Sequence, residues 1–194
     1  MKKPIHIDDR LEIIGNLVVR ARIFFEIWWF YEGAETRPQI LETMNEYPEF
    51  FRYDSHAHFT SYVIHMAALY EKRQDTINLP SLTTELHSVD PNYVENHVTP
   101  LFLLTDSVAK KIFILRSSLF AHRSRSLTYA TAFDTASVSA DEMRDFTATS
   151  LQIVNHLRFI KHLPEKIFTP LPQSHIAKIL KALHQLSHNN RLNP

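Results

Sequence analysis

No stretch of this chain alternates apolar and polar residues as a half-buried strand must, and that excludes more folds than any other feature. Apolar residues recur at helical spacing instead. Phe59, Val63, Met66 and Tyr70 are spaced four, three and four. Leu104, Val108, Ile112, Leu115 and Leu119 are spaced four, four, three and four. Each set marks one face of an α-helix. Glycine usage agrees, because only Gly15 and Gly33 occur. That is too few for a protein of glycine-turned hairpins, and it excludes a Gly-rich phosphate loop. The expected class is all-α: a helical bundle forming a single domain over residues 1–194, with 189–194 as a frayed tail.

Start and stop signals place the helices. Asp8 and Asp9 precede an apolar-rich run to Glu32, with Gly33 just beyond as a C′ glycine. Residues 34–46 make a short second helix, with Thr36 as cap and Pro38 in its first turn. Pro48 opens a third, to about Arg73, and Pro80–Ser88 gives a fourth with Ser81 near its start. The Asp90-Pro91 pair punctuates the chain. Pro100 breaks or kinks it ahead of a central helix from about Leu101 to Ala121. Arg123 to Val138 has no clear period and reads as a loop holding a single turn. Ser139 and Glu142 form a capping box that opens a helix carrying Met143, Phe146, Val154, Leu157 and Ile160. The last helix carries Ile176, Ile179, Leu180, Leu183 and Leu186, and adjacent Trp28 and Trp29 in the first predict one buried ring and one near the surface.

Composition narrows the chemistry. Lys plus Arg and Asp plus Glu each number 21, so the formal net charge is zero. A neutral chain does not attract nucleic acid indiscriminately, so any RNA contact has to be local or assembled from two chains. With no Cys there is no disulfide and no thiolate zinc site, which fits a reducing cytoplasm. Met1 to Arg10 is polar and charged, so no targeting segment is expected. The most apolar run, Ile23 to Tyr31, carries Glu26 and falls far short of the ~20 residues of a membrane span. His56, His58 and His65 with Asp54 form the densest histidine cluster, at spacings that either hold a metal or decorate a surface. No Glu-x-x-His pair occurs, which removes the ferritin-like di-iron pattern. The expectation is no metal, no cofactor and no membrane partner.

The stretch Ile112 to Ser124, I-F-I-L-R-S-S-L-F-A-H-R-S, closes the central apolar run with Arg116 and, after five residues, His122. Six positions on an α-helix leave two side chains roughly 120° apart and about 9 Å along the axis. Arg116 flanks the apolar stripe and His122 continues it. In one reading both are structural: Arg116 snorkels past the stripe and His122 caps the helix C-terminus. In the other they cut RNA without a metal. That reaction needs a base for the ribose 2′-hydroxyl proton and a cation for the charge that builds on phosphorus. Histidine titrates near neutrality, and arginine forks onto two phosphate oxygens. One chain supplies one base and no acid, whereas two copies about a two-fold supply two of each. Arg123 and Arg125 contact phosphate in this reading and complement a helix C-terminus in the structural one. Arg52, after Phe50-Phe51, is a further candidate phosphate contact.

An Arg, a small polar residue, a few mostly apolar residues and then a His, at the end of an apolar helix, resembles the signature of the HEPN superfamily. The stretch Leu69 to Leu82, L-Y-E-K-R-Q-D-T-I-N-L-P-S-L, is similar to its AbiU-like abortive-infection branch. The resemblance runs from about Phe50 to His162. It implies a small α-helical, metal-independent endoribonuclease of prokaryotic phage-defence or toxin–antitoxin systems. It also implies a homodimer in which Arg116 and His122 of both chains line one cleft, RNA and not DNA as substrate, and a cognate antitoxin as partner. The alternative is a catalytically silent HEPN-like dimer that binds RNA or a partner protein. Two positions depart from the pattern. Ser117 stands where the family often has Asn or Asp, and it cannot orient the arginine with a charge. Ser124 stands where some HEPN toxins carry a Tyr modified by a partner nucleotidyltransferase. In the second stretch, Glu71, Arg73 and Asp75 either form an ion-pair network at a helix end or orient Arg116.

Overall fold

The computed structural model describes residues 5–121 and 129–192. All regular structure among them is helical and no strand occurs, as the periodicity requires. The order is α1 (Ile7–Glu32), α2 (Arg37–Glu46), α3 (Pro48–Tyr70), α4 (Leu79–His87), α5 (Pro91–Tyr93), π1 (Val94–Val98), α6 (Thr99–Leu115), π2 (Arg116–Ala121), α7 (Tyr129–Ala136), α8 (Ala140–Ile160) and α9 (Leu171–Leu192). Among the described residues no helix is long and apolar enough to cross a membrane. The helices fall into two compact units. One comprises the residues through Arg22 with Tyr62–Phe168; the other comprises Ile23–Ser61 and the residues from Thr169 on.

In the first unit α6 packs against α7, α8 and both π segments. Val108, Ile112 and Leu115 are buried as expected, but Leu104 is 70 % exposed. The phase is set by Thr105, which is 1 % exposed. Its Oγ1 donates to the Phe102 carbonyl at 3.0 Å, so this polar residue is satisfied inside the core. The central helix also differs from expectation at its ends. Pro100 lies in the first turn of α6 and kinks nothing after it; the irregular turn, π1, precedes it. At the other end the α-helix stops at Leu115 and a π-helical turn runs to Ala121. The region read as a loop contains α7. Its Ala- and Thr-rich composition gives no apolar period, yet α6 and π2 offer it a surface to pack on.

α3 and α8 are joined by buried hydroxyls. Tyr62 donates to the Met143 carbonyl at 3.0 Å, and Tyr70 pairs with Ser150 Oγ at 2.8 Å. Burial pushes the Tyr70 phenol up to about 12. The stripe Phe59, Val63, Met66 and Tyr70 is buried throughout. The capping box at α8 is complete: Ser139 Oγ accepts from the Glu142 N–H at 3.1 Å, and Glu142 Oε2 accepts from the Ser139 N–H at 2.8 Å. A cap of this kind stabilises by about 1 kcal/mol. At α4 the cap is Asn78, whose side chain accepts from the Ser81 N–H at 2.9 Å.

A buried cation fastens α8 to α1. Arg158 is 3 % exposed; its Nε donates to the Pro164 carbonyl at 2.7 Å, and its Nη1 to the Leu11 carbonyl at 3.3 Å and to Glu12 Oε2 at 3.1 Å. Lys166 Nζ reaches the same carboxylate and Asn16 Oδ1, the latter at 3.0 Å. The lysine stem lies across Gly15, where a Cβ would stand 2.8 Å from Lys166 Cγ. Glycine inside a helix costs about 1 kcal/mol relative to alanine, and here it makes room for the lysine.

In the second unit α2 packs against α9. Tyr31, Ile40, Met44, Phe51, Ile176 and Leu180 form its core. Leu183 is partly buried against them, while Ile179 and Leu186 are exposed. α9 stays helical through Leu192, into the segment expected to fray. Trp28 and Trp29 are both half-buried, one packing on Phe59 at 4.9 Å and the other stacking parallel to Phe25 at 6.5 Å. The expected split into one buried and one surface ring does not occur. Gly33 ends α1 without a positive φ. A Cβ there would lie 2.7 Å from the Trp29 carbonyl oxygen, so close approach, not handedness, calls for glycine.

Candidate active site

Arg116 is placed by the change of helix type. Its N–H donates to the carbonyls of both Ile112 and Phe113, closing the last α-turn, and from Arg116 onward the backbone is π-helical. π-Turns are rare and recur at functional sites. They also widen the turn, so α-helical phase does not hold from Arg116 to Ala121. The Arg116 guanidinium is partly exposed and faces Glu71, with Nη1 to Oε1 at 3.6 Å. Glu71 follows the last residue of α3. Two segments far apart in sequence, each part of the family resemblance, thus meet in one ion pair.

The loop that presents Glu71 is built by its own hydrogen bonds. Arg73 donates twice to Asp75, at 2.9 and 2.6 Å. That bonding holds the Asp75 carboxyl below its ordinary range and the Arg73 guanidinium above its own. The Asn78 amide donates to the Arg73 carbonyl at 2.8 Å and to the Thr76 carbonyl at 3.2 Å. The two options for Glu71, Arg73 and Asp75 therefore divide: Arg73 and Asp75 pair with each other, while Glu71 meets Arg116.

Ser117 is exposed at the first π-turn, beside Arg116 in the chain. Arg52 lies in the second unit, where its Nη2 bonds Glu49 at 2.6 Å and its guanidinium stacks on Tyr53 at 4.8 Å. His122, Arg123 and Arg125 lie outside the described residues. Of the histidine cluster, His58 Nδ1 meets the Asp54 carbonyl at 2.8 Å and His56 Nε2 meets Thr60 Oγ1 at 3.5 Å. No group of three or more His, Asp or Glu is placed to hold a metal ion among the described residues.

The sequence reading missed a groove of about 680 Å³ along α6, lined by Tyr70, Thr83, Phe102, Leu103, Ala109 and Phe113 among others. Phe113 lies about one helical turn, roughly 5 Å of rise, before Arg116. Lys72, which also lines the groove, adjoins Glu71. The signal was present as Phe102, Ala109 and Phe113 at helical spacing, but it was hidden because Tyr70, Lys72 and Thr83 come from other segments.

No curated protein and no solved structure matches the chain. A family model described as AbiU2, of the HEPN class, matches residues 5–160, from the residues before α1 to the end of α8. That span holds the Arg116–Glu71 pair and reaches well before Phe50, where the resemblance in the sequence begins. The chain belongs to the AbiU2 family of HEPN proteins.

Proposed function

We propose that this protein is a metal-independent endoribonuclease of a phage-defence or toxin–antitoxin system, acting in the cytoplasm through Arg116 and His122 of two copies. Family membership ties it to abortive infection. The observation that supports nuclease chemistry is the placement of Arg116: a guanidinium at a π-turn, partly exposed and held by one acidic partner. In the proposed reaction one His122 takes the 2′-hydroxyl proton. The 2′-oxygen attacks phosphorus, and the bond from phosphorus to the 5′-oxygen breaks. The partner copy's His122 protonates that leaving oxygen, and a 2′,3′-cyclic phosphate remains. Arg116 stabilises the charge on the two non-bridging oxygens. Glu71 holds the guanidinium until phosphate replaces it.

Such a reaction proceeds in EDTA, leaves 2′,3′-cyclic or 3′-phosphate ends and spares DNA, which lacks the attacking hydroxyl. End-group analysis of RNA digested with and without EDTA checks this. Cleavage abolished by EDTA and restored by a divalent ion rules the scheme out. The same scheme requires a two-fold dimer, so sedimentation should give twice the 22.7 kDa chain mass at tens of micromolar. A monomer across that range contradicts the shared site.

A second reading, the silent dimer that binds RNA or a partner protein, draws on two observations. The chain carries no net charge, and Ser117 supplies no carboxylate or amide to orient Arg116.

A further inference from the structure

The groove along α6 has the build of a nucleobase pocket. Its floor and walls carry three aromatic rings, Tyr70, Phe102 and Phe113, with Ala109 between the turns where a larger side chain would fill it. Tyr70 and Phe102 meet edge to face at 5.9 Å. Concave, mainly apolar sites with a few polar groups are where small ligands bind. The polar groups of this one stand at its edge. Lys72 and Lys110 stand exposed at the rim, Lys110 paired with Asp106 at 2.5 Å. The groove runs along the α6 face that continues to Arg116. A chain threaded along this face would put its backbone by the lysines and its scissile phosphate by Arg116.

We infer that this groove takes an unstacked nucleobase of single-stranded RNA, next to the phosphate that Arg116 engages. The inference rests on the nuclease reading for the direction of the strand, but base binding itself does not need cleavage. Stacking on protein aromatics tolerates every base, because each has a π-face. The groove would therefore favour unpaired RNA with little sequence preference, and duplex RNA would be excluded because its bases are occupied.

The test uses the full chain and a fluorescent single-stranded 2′-O-methyl RNA, which lacks the attacking hydroxyl and cannot be cut. Leu103→Glu adds a charge at a groove residue that is 75 % exposed, so it leaves the core alone. It should weaken binding about tenfold or more. An abasic strand of equal length should lose a similar factor on the wild type. A 4-thiouridine strand should crosslink to the peptides that hold Phe102, Leu103 or Phe113. Unchanged affinity in Leu103→Glu, equal affinity for the abasic strand, or crosslinks only elsewhere would each overturn the groove assignment. Wild type that cuts unmodified RNA alongside any of those results keeps the nuclease and loses the groove. Groove crosslinks with no cleavage of unmodified RNA keep the groove and lose the nuclease.

Discussion

Arg116→Ala is expected to slow RNA cleavage by about two to three orders of magnitude, the effect of removing roughly 3–4 kcal/mol of transition-state charge stabilisation. His122→Ala is expected to cost about two to four orders, the range for a lost general acid or base. The fold should hardly notice the arginine. Its one described ion pair is 3.6 Å long between partly exposed groups, and such pairs contribute about 0–1 kcal/mol. Single-turnover cleavage rates beside thermal melts separate the two effects. A large rate loss with a melting point near the wild type supports catalysis. Wild type that leaves RNA intact, with both variants markedly destabilised, assigns the pair a structural role.

Arg158→Ala is expected to destabilise the first unit by about 1–3 kcal/mol, the cost of taking the donor from buried backbone carbonyls; Glu12 is 49 % exposed and keeps Lys166, so its charge adds little. Three acceptors lose their donor at once: the carbonyls of Leu11 and Pro164, and Glu12 Oε2. Against a total stability of about 5–15 kcal/mol that is a large share. For a chain of this length it lowers the melting point by roughly 2–12 °C. Lys166, and to a lesser degree Arg158, hold the Glu12 carboxyl below its ordinary range. A depressed folded-state value means this contribution is present above the ordinary carboxylate range and is lost as pH falls through the folded value. The wild type should therefore melt earlier in acid, and Glu12→Gln should flatten that decline. Melting curves that match for wild type and Arg158→Ala at neutral pH would remove the cluster from any account of stability.

The helical class was legible because apolar spacing reports directly on which face is dry. It succeeded for the stripe from Phe59 to Tyr70 and for the Ser139 capping box. It failed at Leu104 because a satisfied hydroxyl, Thr105, occupies the buried position, and a count of apolar residues passes over it. α7 was missed for a related reason: small residues fill an interface without producing a period. The end of the α-helix was not legible: Leu119 carries the apolar stripe past Arg116, so the sequence put the end near Ala121, whereas the α-helix stops at Leu115 and the backbone to Ala121 is π-helical, a change that no residue type announces. The Glu71 contact was one of two options the sequence left open. Choosing between them required knowing where α3 ends relative to α6, which is a property of packing and not of either segment alone.

The Glu12, Arg158 and Lys166 cluster also dictates an order of events in time. Glu12 waits for a partner 154 positions later in the chain. At ~5–20 residues per second of synthesis, that delay is roughly 8–30 s. Each unit is assembled from an early and a late piece of the chain, so neither has all its parts until translation passes Phe168. Both the Arg116–Glu71 pair and the α6 groove belong to the first unit. For a protein whose proposed activity would attack RNA, the nascent chain stays without the finished scaffold of its first unit until Phe168 has been added.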